Sequence, residues 1–131
     1  MSYRHLVEPW LTSICSYVGK NGFGTVATDL FAPHMPEEPV TCTAVVPTGG
    51  IRSGGNPVRR RLVQIQHRRP FEDLGSGLTF IGSLSGLFDD QWNKLDADHL
   101  GRFELQSEPG RYILDGAGNV IFSLDYVFTS T

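Results

Sequence analysis

Four histidines, His5, His34, His67 and His99, and two cysteines, Cys15 and Cys42, are the side chains in this sequence best able to ligate a metal or attack a carbonyl. Their spacing supports neither use. Zinc-type centres draw ligands from closely spaced His and Cys pairs, and no His-x-x-x-His or cysteine pair occurs near any of these histidines. There is no G-x-S-x-G elbow, and neither cysteine sits in a nucleophile motif. The thiols lie in an apolar helical stretch and an apolar strand-like stretch, which reads as two buried, reduced cysteines. A disulfide between them is compatible with the sequence without being required by it.

Three further groupings carry charge or phosphate-binding potential. The run Gly49 to Gly55 is glycine-rich but lacks the G-x-x-x-x-G-K-[ST] pattern and a following helix, so a flexible tip is expected there rather than a phosphate loop. Asp89 with Asp90, and Asp96 with Asp98, form paired acids whose ordinary reading is a solvated connector; a tight fold would let them hold a cation. Arg59, Arg60 and Arg61 together with Arg68 and Arg69 bracket one strand, placing positive charge at its two ends. Solvated strand ends are the ordinary explanation. Because arginine forks suit carboxylate and phosphate alike, contact with acidic neighbouring subunits or with passing DNA is the functional alternative.

The elements that position these groups are legible from periodicity. Val63, Ile65 and His67 alternate with Leu62, Gln64 and Gln66, the period of a half-buried strand. Pro70 follows, and Leu74, Leu78, Ile81, Leu84 and Phe88 then paint one face of a helix. Gly75, Gly77, Gly82 and Gly86 weaken that helix by about 1 kcal/mol each against alanine, and point to a face where another backbone approaches closely. Upstream, Leu6, Trp10, Ile14 and Val18 mark an amphipathic helix, secure from Trp10 to Val18, ended by Gly19, Gly22 and Gly24. Phe23 to Pro39 reads as an extended, proline-marked connection and Val40 to Val46 as a strand. Thr48 to Pro57 is expected to be a mobile loop carrying Arg52. Asp89 to Leu100 is a polar connector containing Trp92. Gly101 to Gln106 and Arg111 to Leu114 are short strands, and Val120 to Thr129 is the most regular strand of the chain, following a turn at 115–119. The expected architecture is therefore α+β, a mostly antiparallel four- to five-stranded sheet with two helices packed on one face.

At 131 residues the chain is expected to form one domain, residues 1–131. It is 40% hydrophobic and only 19% charged, a low charge content that suggests surface buried against partners. A net charge of −3 argues against a general nucleic-acid binder. No stretch approaches the length of a membrane span and the start does not resemble a signal peptide, so assembly inside a cell is expected.

The N-terminal helix, the link ending in PVTCTAVVPTGG, the strand and helix RLVQIQHRRPFEDLGSGLTFIGSLSGLF, the segment FELQSEPGRYILDGAGN and the terminal VIFSLDYVFTST together resemble the tail-terminator and minor-capsid proteins of long-tailed bacteriophages. The likeness covers Trp10 to Thr131. It departs from the family pattern in the glycines of the second helix and in RRPFEDLGS, where acidic and longer side chains are commoner. The resemblance implies a structural virion protein of the tail or neck, assembled in the host cytoplasm. It would form a homomeric, hexameric ring at the head-proximal end of the tail tube, end tube growth and join the tail to the head connector. It implies no catalytic residues, no cofactor and no metal. Its partners would be copies of itself, the tube protein and the connector or stopper protein, with DNA passing through the lumen unbound and no membrane involved. The expected interface residues are Arg52, Arg59, Arg60, Arg61, Arg68, Arg69, Asp89, Asp90 and Trp92. A neck, head-completion or minor-capsid role is the alternative. A ligand-binding or enzymatic domain built on His67, Arg68, Arg69, Asp89 and Asp90 is a remoter one.

Overall fold

A computed structural model describes residues 9–51, 59–88, 92–95, 100–107 and 109–130. Helix α1 spans Pro9–Lys20 and α2 spans Leu74–Leu87, the latter entered through a 3-10 turn at Phe71–Asp73. The strands are β1 (Leu30–Phe31), β2 (Cys42–Ile51), β3 (Arg59–Pro70), β4 (Trp92–Lys94), β5 (Leu100–Leu105), β6 (Tyr112–Leu114) and β7 (Asn119–Ser130).

This architecture corrects the expected four- to five-stranded, mostly antiparallel sheet. Seven strands form one mixed sheet curled into a half-barrel, in the order β1-β2-β3-β7-β5-β4, with β6 also paired to β7. The strands missed are two short ones. β1, parallel to β2, lies inside the stretch read as an extended link, and β4 lies inside the stretch read as a polar connector. Two or three residues cannot display an alternation, so such strands are visible only through their partners. β1 is held beside β2 by its pairing with Thr43 and Ala44 and by the Thr43 N–H donating to the Asp29 carbonyl at 2.8 Å.

The expected loop at Thr48–Pro57 is corrected in part, because β2 continues through Thr48 to Ile51, while residues 52–58 lie outside the described residues. A register shift between Pro47 and Gly49 marks a bulge, and Gly49 adopts a φ of 143° there, which a side chain would oppose.

β3 and β7 form the spine, paired from Arg59 opposite Ser130 to Pro70 opposite Asn119. Alternation sends Val63, Ile65 and His67 to one face, together with Val120, Phe122, Leu124, Tyr126 and Phe128. Both helices lie on that face. Leu11, Ile14 and Val18 of α1 and Ile81 and Leu84 of α2 join the same buried cluster, closed by Phe88, Leu95 and Phe103. Aromatic rings line it, with Trp10 stacked on Phe128 at 5.7 Å and Phe88 tilted against Phe103 at 4.2 Å between centroids. A fully buried ring such as Phe103 or Phe128 contributes roughly 1.5–3 kcal/mol.

The buried face of α2 carries Gly77, Ile81 and Leu84, and Leu78 is exposed rather than inward. Gly77 explains why the helix can sit so low on the sheet: a Cβ there would run into the Phe122 ring.

Candidate assembly surface

The five arginines that bracket β3 do not form one patch. The strand's alternation sends Arg61 and Arg69 to the helix side and Arg60 and Arg68 to the opposite side. Arg61 lies over the Trp10 ring at 4.8 Å and its Nη1 donates to Ser130 Oγ at 3.2 Å. Arg68 acts as a clasp: its Nε donates to the Val40 carbonyl at 2.8 Å, and its Nη2 reaches the carbonyls of Pro36, Glu37 and Pro39 at 2.7, 2.9 and 2.9 Å. A single guanidinium thereby ties down the irregular link that precedes β2. Arg60 is exposed. Arg59 begins β3 opposite Ser130, and Arg52, Asp89 and Asp90 lie outside the described residues.

Arg69 is engaged with His67, the most perturbed base among the described residues. Arg69 Nε–H donates to His67 Nε2 at 2.8 Å, which leaves the proton of the neutral ring on Nδ1, where it meets Thr43 Oγ1 at 2.9 Å. Burial, helped by the Arg69 charge, lowers the His67 pKa to about 3. With both ring nitrogens occupied, this imidazole has no lone pair or proton to offer a substrate. Burial raises the Cys42 thiol, with Arg68 partly offsetting it, which is the wrong direction for a nucleophilic thiolate. Among the described residues, no three His, Cys, Asp or Glu side chains gather as a metal site would need. His67, Arg69 and Arg68 are thereby engaged in contacts within the subunit.

What the surface does present is apolar. All three residues of β6 face solvent, with Ile113 at 61% and Leu114 at 62% relative exposure, and Phe71 and Leu78 are exposed as well. Phe71, Leu114 and the turn at Asp115, Gly118 and Asn119 line an open groove of about 260 Å³. Asp115 locks that turn by accepting from the Ala117 and Asn119 amides, each at 2.9 Å. Trp92 of β4, opposite Arg102, is 48% exposed and forms a separate apolar point. Around the outward side of α2, a Cβ added at Gly75, Gly82 or Gly86 would meet nothing, so that side of the helix is flat and open.

Sequence reasoning singled out Trp92 and read Arg111 to Leu114 as a short strand, but did not name its side chains as an exposed surface. The signal was present in Tyr112, Ile113 and Leu114, three large apolar residues in a row where a half-buried strand should alternate.

The described residues form a small layered sheet-and-helix subunit that exposes apolar side chains along β6 and at Trp92. Comparison with protein-family models matches residues 17–131 to the family described as Bacteriophage tail terminator protein. The match covers most of the chain, and the protein belongs to that family. It is accordingly a structural component of a phage tail that interacts with other phage proteins. A comparison with individually curated proteins finds no match. No helix among the described residues is long and apolar enough to cross a membrane.

Proposed function

We propose that this protein closes the head-proximal end of the tail tube as a ring of identical subunits, most simply six, and offers the completed tail to the head connector. Membership of the tail-terminator family is the observation that carries the reading. The exposed apolar run of β6 with Phe71 and Leu78 supports it, since burying large apolar side chains between copies is what drives obligate association. The flat glycine side of α2 offers a second surface to which a neighbouring backbone can come close. Contacts of this unlike-to-unlike kind close into a ring when the rotation between subunits divides a circle, which limits assembly without a further stop signal. Of the expected contact residues, the exposed Arg60 and Trp92 would then serve at the rims of such contacts. The net charge of −3 would repel the phosphates of DNA in the lumen and let it slide.

Electron microscopy of particles lacking the protein tests the role. Abnormally long tails are expected; free tails of normal length beside unjoined heads would instead mark a neck or head-completion protein.

A further inference from the structure

The cleft beside the C-terminal end of β3 belongs to none of these surfaces. It encloses about 240 Å³, and its walls include Phe23, Asp29, Thr41, His67, Arg69 and Phe80. The Arg69 guanidinium is fixed from two directions. Its Nε–H is spent on His67 Nε2 at 2.8 Å, and its central carbon lies 5.5 Å from the centroid of the Phe80 ring. His67 is itself immobilised, stacked on Phe80 at 4.0 Å and bonded to Thr43 Oγ1 at 2.9 Å. What remains is the terminal fork, Nη1 and Nη2, which has no acceptor among the described residues. A guanidinium held by its inner nitrogen and one face has already lost the freedom that a flexible arginine gives up on binding. Its remaining donors match a carboxylate's two oxygens.

We propose that this cleft is a receptor for a single carboxylate, gripped by the Arg69 fork with the Thr41 hydroxyl beside it. Phe23 and Phe80 form an apolar wall for the carbon chain that bears the acid, meeting edge to face at 5.6 Å. Asp29, which also lines the cleft and accepts from the Thr25 amide at 2.6 Å, makes the cleft a poor host for a polyanion. One charge is admitted and a second is opposed, which favours a carboxylate over a phosphate chain. The acid is either free in solution or carried by a side chain of a second copy.

Nuclear magnetic resonance of the full 15N-labelled chain tests this directly, through the Arg69 Nε–H and Thr41 amide signals. Sodium acetate should shift both saturably, with sodium chloride and inorganic phosphate at matched ionic strength weaker by about tenfold or more. Arg69→Lys, read through the Thr41 amide, should abolish the acetate response, and Thr41→Val, read through the Arg69 Nε–H, should weaken it several-fold. In acetate-free buffer, movement of the same two signals with protein concentration assigns the carboxylate to a second copy; no movement, with the acetate response intact, assigns it to a free acid. A response that never saturates, one that chloride or phosphate reproduces equally, or one that survives in Arg69→Lys overturns the proposal. The acetate arm with its Arg69→Lys control reads the cleft itself, and ring formation is read separately by light scattering, so the failure of one is distinguishable from the failure of the other.

Discussion

Burial and the neighbouring Arg69 charge hold the His67 imidazole at a pKa of about 3, so the folded chain refuses a proton that the unfolded chain accepts. An unfolded histidine titrates near 6.5, and the stability tied to the neutral ring is therefore complete above that pH and drains away as pH falls toward 3. Between about pH 7 and pH 5 the unfolding free energy should drop by roughly 2 kcal/mol from this group alone. Urea titrations across that range should show the slope, and His67→Gln should flatten it; an equal slope in both would contradict the assignment. Tyr126 poses the opposite case. Its hydroxyl is buried with no hydrogen-bond partner among the described residues, and burial raises its pKa. Removing it costs nothing and relieves an unmet group, so Tyr126→Phe should raise stability by about 1 kcal/mol in thermal unfolding. For Arg68, neither alanine nor lysine reproduces a fork that reaches the carbonyls of Pro36, Glu37, Pro39 and Val40. Both substitutions should cost about 1–3 kcal/mol and open residues 36–40 to hydrogen exchange.

Among the elements, α2 carries two glycines with opposite consequences. Gly77→Ala drives a methyl into the Phe122 ring and should destabilise the subunit by about 1–3 kcal/mol. Gly82→Ala meets open space and should stabilise the isolated subunit by about 1 kcal/mol, yet hinder assembly if the flat side of the helix receives a neighbour. Calorimetry of the subunit and a sedimentation assay of the assembly separate the two effects. The elements most legible in the sequence are those long enough to repeat, since α1, α2, β3 and β7 each show several cycles of their period, while β2, β5 and β6 are marked by apolar or alternating runs between turn residues. β1 and β4 were not legible, because their pairing is decided by distant partners rather than by their own residues. The glycines of Thr48 to Ile51 suggest a loop in sequence, whereas in the fold Gly49 permits a bulge inside a strand. The arginines illustrate the same limit at a candidate site. Their clustering along the chain was plain, but the alternation of β3 divides them, and only the tertiary contacts show Arg61 and Arg68 committed to the subunit's own structure.

At the scale of the whole molecule, the account rests on association. An exposed rim cation contributes through screened attraction, with a Debye length of about 8 Å at physiological ionic strength, so Arg60→Ala should weaken assembly more at low salt than at high salt. A salt-independent loss would point to misfolding instead. Apolar contacts through Ile113 and Leu114 should behave in the reverse manner, persisting as salt rises. The most direct measurement is multi-angle light scattering of the purified protein, alone and mixed with tail-tube fragments. The account predicts a closed oligomer of 14.5 kDa subunits that forms on its own or on meeting tube ends, and stops there. A species that stays monomeric and ignores tube ends, or one that grows without limit, would contradict it.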